Sequence, residues 1–407
     1  MMQSNILEAG KQVLHVLEKA GYTAYFVGGY VRDTLLGRPV HDLDIATSAR
    51  PDEVISLFAR TIPTGLAHGT VTVLQDGVPL EVTTFRTEAG YADHRRPDEV
   101  RFVSDITEDL ARRDFTVNAM ALDLRGDVVD PFGGRQDLNA RIVRAVGKAD
   151  ERFAEDALRM LRCLRFASQL GFSIDPHTYE AIQRHAQDIR YVAVERISAE
   201  WNKALVGPYP ERIVTGVLHT GLASALPGFC QLFEDKHDFT DREQKQLCTA
   251  DGLVLRWAYL FLICNREAEV ETILRALRCE KKVIRACQQI VDLTRRLHGS
   301  HTAGERIRWI LEQGFEALHE AASLYAIIYE DENVVREMRQ LYESMRITVL
   351  QDLAINGADL QKEMNRRGGP WVRDLLLELA LDVNEGRAEN ERQALLLRAR
   401  MIVDEDT

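Results

Sequence analysis

Two aspartates and a glutamate stand out by type and spacing. In "VHDLDIATSARP", Val40 to Pro51, Asp42 and Asp44 lie one residue apart among apolar neighbours. Strands disfavour aspartate, and an unpaired buried carboxylate is costly. In an extended segment residues i and i+2 share a side, so both carboxylates would face one way, about 7 Å apart at the backbone. That arrangement suits divalent cations. Magnesium takes carboxylate oxygens together with substrate phosphates, and two such ions about 4 Å apart can activate an attacking hydroxyl and stabilise a leaving phosphate. Alone, Asp-x-Asp also fits a turn or a solvated loop. Glu81, in "PLEVTTFR", sits in another strand-like run; beside "LDIAT" it would complete the acidic set, and elsewhere it would simply face solvent.

Upstream, "YFVGGYVRDTLLG" reads as a strand from Tyr25 to Val27, a turn at Gly28 and Gly29, and a helix from Tyr30 to Leu36 ended by Gly37. Glycines at a strand-to-helix junction let backbone N–H groups approach a phosphate, and a helix start favours negative charge. Arg32, one turn in, is placed to meet a phosphate oxygen, or else to pair with Asp33 or Asp42. "ARRDFTVNAMALD" crowds Arg112, Arg113, Asp114 and Asn118 ahead of an apolar run. Arginines clamp phosphates through forked hydrogen bonds, and Asp and Asn suit ribose hydroxyls; a capped helix start with surface ion pairs is the alternative. In "EDALRMLRCLRF", helical periodicity puts Glu155, Asp156, Arg159, Arg162 and Phe166 on one half of a single helix and Met160, Leu161, Leu164 and Ala167 on the other, with Arg165 at the border. The charged half either looks into an enclosed space or is a solvated face laced with ion pairs.

The elements that must position these groups change character along the chain. Roughly the first 148 residues alternate short β-rich runs with turns, and "LQDGVPL" carries an Asp-Gly hairpin signal. From Ala149 onward helical periodicity dominates, so an α+β head followed by an all-helical remainder is expected. At 407 residues, 45% apolar and 28% charged, the chain should fold into two to four units. No apolar run approaches the roughly 18 residues of a membrane span, and "MMQSNILEAGKQV" lacks a basic-then-apolar leader pattern, so a cytoplasmic protein is expected. The six cysteines show no CxxC pair and read as reduced. A net charge of −12 excludes nonspecific coating of nucleic acid but leaves room for local basic strips in "RALRCEKKVIRA", "LTRRLHG" and "KEMNRRGGPWVR".

Taken in order, "GGYVRDTLLG", "HDLDIAT", "RRDFTVNA", "DPFGGRQDL", "EDALRMLRCLRF", "VERISAEWNKAL", "INGADLQKEM" and "GGPWVRDLLLEL" resemble the nucleotidyltransferases related to DNA polymerase β. Within them the sequence is similar to the class II (Bacillus-type) CCA-adding enzymes and to bacterial poly(A) polymerases over nearly its whole length. The resemblance implies a catalytic head (residues 1–148), a helical neck that recognises the nucleotide base (149–214), a helical body (215–330) and a tRNA-binding helical tail (331–407). It implies template-independent addition of CCA to the tRNA 3′ end from CTP and ATP, with Mg²⁺ held by Asp42 and Asp44 and with Glu81 as a third catalytic acid. Gly28, Gly29, Arg32 and Arg113 would position phosphates, with Arg112, Asp114 and Asn118 beside them. Glu155, Asp156 and Arg159 would read the base, and Arg162 and Arg165 would also contact the nucleotide. The chemistry agrees: Asp156 only accepts and Arg159 only donates, which complements cytosine and adenine but not uracil or guanine. The polar stretch from Arg86 to Val100, "RTEAGYADHRRPDEV", reads as a mobile loop and resembles the flexible loop that AMP addition requires. It argues against an enzyme adding only C, and leaves full CCA addition and A-only addition both open. The acidic ending "IVDEDT" argues against a poly(A) polymerase. The intact carboxylates argue against a non-catalytic tRNA-binding protein. The tRNA acceptor arm and 3′ end are the expected partners; a membrane is not, and a homodimer is left open.

Overall fold

Valine, isoleucine and threonine runs separated by glycine turns build a mixed sheet in the N-terminal part of the chain. The computed structural model describes residues 2–40, 42–89 and 99–405. The chain divides into two compact units, Met1–Asp238 and Phe239–Thr407.

The first unit opens with α1 (Met2–Lys19), β1 (Ala24–Val27), α2 (Gly29–Leu35), β2 (Asp44–Thr47), α3 (Pro51–Leu57), β3 (Thr61–Gly65), β4 (Thr70–Gln75) and β5 (Val78–Thr84). A ribbon of β6 (Arg86–Ala89) and β7 (Glu99–Phe102) follows, then α4 (Ile106–Ala111), β8 (Ala121–Leu122), β9 (Val128–Val129) and α5 (Gly134–Ala140). The large sheet runs β3-β4-β5-β2-β1-β8-β9. Asp76 and Gly77, both at positive φ (51° and 80°), turn the β4–β5 hairpin as the Asp-Gly signal predicts. Strand alternation buries Leu80 and Val82 beneath α1, whose Leu14 and Leu17 are also buried, and leaves Glu81 exposed between them.

The central strand matters most. β2 runs antiparallel to β1 and parallel to β5, so Asp44 is registered against Val27 on one side and Glu81 on the other. The exit of β1 into the Gly28 turn, the first residue of β2 and Glu81 therefore meet at one end of the sheet.

Next come β10 (Ile142–Val143), α6 (Ala149–Glu155), α7 (Leu158–Leu170), β11 (Ser173–Ile174), α8 (Pro176–His185), α9 (Val194–Leu205), α10 (Pro210–His219) and α11 (Phe229–Leu232). Here the structure corrects the sequence reading. The single helix expected across Glu155–Phe166 is two, broken at Asp156, which is extended (φ −142°, ψ 104°). Its Oδ1 accepts the Leu158 N–H at 3.0 Å. Aspartate competes with the helix for such local bonds and favours caps, while the apolar spacing continues undisturbed through the break. Two smaller departures accompany it. Ser173–Ile174 pairs in parallel with Ile142–Val143 inside the helical part. The two ends of the expected loop pair with each other, Arg86 with Phe102 and Ala89 with Glu99; residues 90–98 of that loop lie outside the described residues.

The second unit is helical: α12 (Asp241–Thr249), α13 (Leu253–Ile263), α14 (Val270–Ala276), α15 (Lys281–Leu297), α16 (Ala303–Gln313), α17 (Phe315–Tyr329), α18 (Asn333–Ser344), α19 (Gly357–Glu363), α20 (Pro370–Asn384) and α21 (Arg392–Glu405). Thr240 and Thr302 start α12 and α16 with reciprocal capping boxes to Glu243 and Glu305. Among the described residues no helix is long and apolar enough to cross a membrane. All six cysteines are free.

Candidate active site

A cleft of about 720 Å³ is lined by every candidate residue except Glu81 and Glu155. Its floor begins at the β1–α2 turn. Gly28 has φ 70° and ψ −133°, a conformation that side-chain-bearing residues rarely adopt. A Cβ there would stand 3.1 Å from Arg113 Nη1 and 3.8 Å from Asp44 Oδ2. Glycine thus lets the backbone, an arginine and an aspartate converge on one point.

Asp42 precedes β2 and Asp44 opens it, both exposed to the cleft. Among the described residues the carboxylates of Asp42, Asp44 and Glu81 have no ion-pair or hydrogen-bond partner. Their acidic neighbours do: Asp33, Asp109, Asp114, Asp156 and Glu200 each hold an arginine. Protein packed around Asp44 raises its carboxyl above the ordinary value, Glu81 and Asp42 add to the rise, and Arg113 opposes it. The residue keeps substantial solvent contact, so water in the cleft moderates this crowding. Hard oxygen donors, mutually repelling and uncompensated, fit a divalent cation. Among the described residues no three acidic, His or Cys groups form a closed cage, so phosphate oxygens or water would fill the remaining positions.

Arginines surround these carboxylates, and most already have partners. Arg32 holds Asp33 through Nε (3.0 Å) and Nη2 (2.7 Å), the pairing noted as its alternative, and donates from Nη1 to Asn118 Oδ1 at 2.7 Å. Arg112 is fixed by buried Asp109 (2.7 Å) and by Glu88 of the β6–β7 ribbon (3.2 Å). Arg113 reaches Asp109 only at 3.4 Å, and its Nε is buried without a partner. Burial lowers the Arg113 pKa, against the pull of Asp109 and Asp44.

Asp114 is committed to the protein. Its Oδ1 accepts the Phe115 N–H (2.8 Å) and Asn118 Nδ2 (3.2 Å), and its Oδ2 takes Arg162 Nε (2.9 Å) and Nη2 (2.6 Å). Burial alone would raise this carboxyl, but Arg162, Asn118 and Arg159 outweigh it and hold it at about 2. Arg32, Arg162 and Arg165 rest their guanidinium groups over the Phe166 ring, at 5.3, 5.4 and 4.1 Å from its centre.

At the α6–α7 break, Asp156 Oδ2 receives Arg196 Nη2 at 2.8 Å. Arg159, in the first turn of α7, binds Glu155 Oε2 (2.5 Å) and the Arg112 carbonyl (3.0 Å). Glu155 also holds Arg152 and lies behind the cleft lining. Sequence reasoning overlooked Arg196 and Glu200, which both line the cleft from α9. Arg196 holds Asp156, and Glu200 holds Arg165, with Arg162 at 3.8 Å. Their i, i+4 spacing in "VERISAEW" was the available signal.

Residues 24–144 match the family described as poly A polymerase head domain, and residues 171–232 match "Probable RNA and SrmB- binding site of polymerase A". Residues 254–399 match the second domain of tRNA nucleotidyltransferases. The fold and cleft are those of a nucleotidyltransferase, a class that uses divalent metal. The CCA-adding enzyme of Lactiplantibacillus plantarum is 41% identical over 98% of this chain and 97% of its own. That of Bacillus cytotoxicus is 39% identical over 94% and 95%. The crystal structure of the Bacillus stearothermophilus CCA-adding enzyme in complex with CTP superposes with a TM-score of 0.83 at 34% identity, covering 98% of this chain and 99% of that one. The chain belongs to the CCA-adding enzyme family.

Proposed function

We propose that this chain adds CCA to the 3′ end of tRNA from CTP and ATP, without a template, releasing pyrophosphate in the cytoplasm. The observation that carries the reading is the pair of uncompensated aspartates, Asp42 and Asp44, in the same cleft as Asp156 and Arg159. We take the cation to be Mg²⁺, held by Asp42 and Asp44 with Glu81 adding negative charge from the neighbouring strand. When bound, it lowers the pKa of the attacking tRNA hydroxyl and draws charge from the triphosphate. The Gly28–Gly29 turn and Arg113 receive phosphate oxygens, so pyrophosphate leaves against positive charge. Arg32 and Arg112 form the adjoining wall, each oriented by an acid. Asp114 and Asn118 act mainly by fixing Arg162 and Arg32, in place of the ribose contacts their types suggested.

For the base, Asp156 accepts from an exocyclic amine and Arg159 donates to the ring nitrogen. Arg196 aims the Asp156 carboxylate, and Glu155 does the same for the Arg159 guanidinium. Uracil or guanine would set like polarities together, at a cost of about 1 to 3 kcal/mol for each unpaired group. We divide the chain functionally into head (1–148), neck (149–214), body (215–330) and tail (331–407). The compact-unit boundary at Asp238 then falls within the body.

The test offers tRNA ending at the discriminator base, at C and at CC, each with one nucleotide at a time, and sizes the products. Extension of all three by the correct nucleotide supports the proposal. Extension of the CC-ended tRNA alone makes the protein an A-adder, and no magnesium-dependent extension at all makes it non-catalytic.

A further inference from the structure

Helix α7 borders two cavities. Arg162, Arg165 and Phe166 line the cleft already described, while Leu164 and Ala167 line a second cavity of about 230 Å³ bounded also by β11, α8 and α10. Each of the latter pair lies two residues from a cleft arginine, which on a helix is nearly the opposite side. Phe172 and Ile174 extend the apolar wall. Gly216 of α10 belongs to the same wall. A Cβ there would stand 2.7 Å from Leu164 Cδ2, so glycine lets α10 approach α7 closely.

The polar lining is only partly satisfied. Arg212 of α10 donates from Nη1 to the Phe172 carbonyl at 2.9 Å, which fixes the guanidinium against β11. Its Nε is buried without a hydrogen-bond partner, and Glu211 stands 3.8 Å from it, beyond hydrogen-bond reach. The Tyr179 hydroxyl of α8 also has no partner among the described residues. Burial raises the Tyr179 pKa, so that O–H stays protonated and able to donate. The other polar groups are occupied: His219 Nε2 faces Asp238 at 3.1 Å, and Thr215 donates to the Glu211 carbonyl at 2.9 Å. Among the described residues no acid lines the cavity.

We propose that this cavity is a second ligand site, separate from the nucleotide cleft, which takes a small carboxylate with an apolar, ring-sized body. The carboxylate meets Arg212 and Tyr179, and the body lies against Leu164, Ala167, Phe172 and Ile174. A buried N–H without an acceptor is costly and uncommon in folded proteins, and a guanidinium finds its best match in a carboxylate. Two unsatisfied donors beside an apolar wall thus describe a ligand with an acceptor head and a hydrocarbon body. Size narrows the choice further: an apolar cavity of about 150 Å³ holds benzene, so this one has room for a ring and one polar group. Its occupant rests on the back of the helix that presents Arg162 and Arg165 to the cleft.

The test titrates benzoate, at constant ionic strength, into the full-length protein carrying isotope-labelled leucine and isoleucine methyl groups. The Leu164 and Ile174 methyl resonances should shift and saturate together, and Leu158, which lines the nucleotide cleft, should not follow their curve. Arg212→Gln should weaken binding by about tenfold, and Tyr179→Phe, which keeps the ring and its packing, by about threefold. Benzamide, with the same shape and no charge, should bind at least about fivefold more weakly than benzoate. The proposal is overturned by the lack of a saturable shift at Leu164 and Ile174, by benzamide binding as well as benzoate, or by both variants binding benzoate like the wild type.

Discussion

Replacing Asp114 with asparagine removes one charge from a doubly hydrogen-bonded ion pair lining the cleft while keeping the shape of the side chain. The amide oxygen of the replacement can still accept the Phe115 N–H, but Arg162 loses both short bonds to Oδ2 and is left with Glu200 at 3.8 Å. The magnitude follows from the carboxyl, held at about 2 against an ordinary value of 3.8. A depression of nearly two units corresponds to about 2 kcal/mol of native-state stabilisation. Because the folded value lies below the unfolded one, that stabilisation is complete above about pH 4 and is lost as pH falls through about 2. Hydrogen exchange of the α7 amides reads the effect locally. At neutral pH the Asp114→Asn protein should lose protection there by about 30-fold, the equivalent of 2 kcal/mol. In acid denaturation its deficit relative to wild type should shrink toward pH 2. Protection in α7 within about threefold of wild type at neutral pH would refute the argument that Arg162 is held by this charge.

Other substitutions probe the remaining parts of the cleft. Asp44→Asn should cut nucleotide incorporation by at least about 100-fold. It should also melt no lower than wild type, since it relieves crowding with Glu81 and Asp42; a large fall in melting temperature would contradict that electrostatic picture. Gly28→Ala forces a Cβ into a positive-φ conformation 3.1 Å from Arg113. It should cost about 1 to 3 kcal/mol and weaken CTP and ATP binding together, as calorimetry would report. Arg196→Ala should erode base choice more than speed, raising UTP incorporation relative to CTP by about tenfold, while a uniform loss for all nucleotides would show that Arg196 is only structural.

What the sequence made legible was local. The Gly28 turn, the Asp-Gly hairpin and the buried alternation around Glu81 follow from neighbours within a few residues. The adjacency of Asp44 and Glu81 could be stated only conditionally, because nothing local specifies that two strands so far apart lie parallel and in register. Periodicity placed the charged half of α7 correctly but passed over the break at Asp156, where one side-chain bond outcompetes the helix. It also could not say who pairs with whom. Asp114 meets Arg162 from 48 residues away, and Asp156 meets Arg196 from 40. Residue types that looked available for ribose and base are, in the folded chain, partly occupied by one another.

Phe166 has a wider reach than its apolar side chain suggests. Because Arg32, Arg162 and Arg165 all lean on that one ring, none of the three can be retuned independently. Their substitutions should prove strongly epistatic, and attempts to engineer a new nucleotide preference will succeed only when the ring and its three cations are varied as one set.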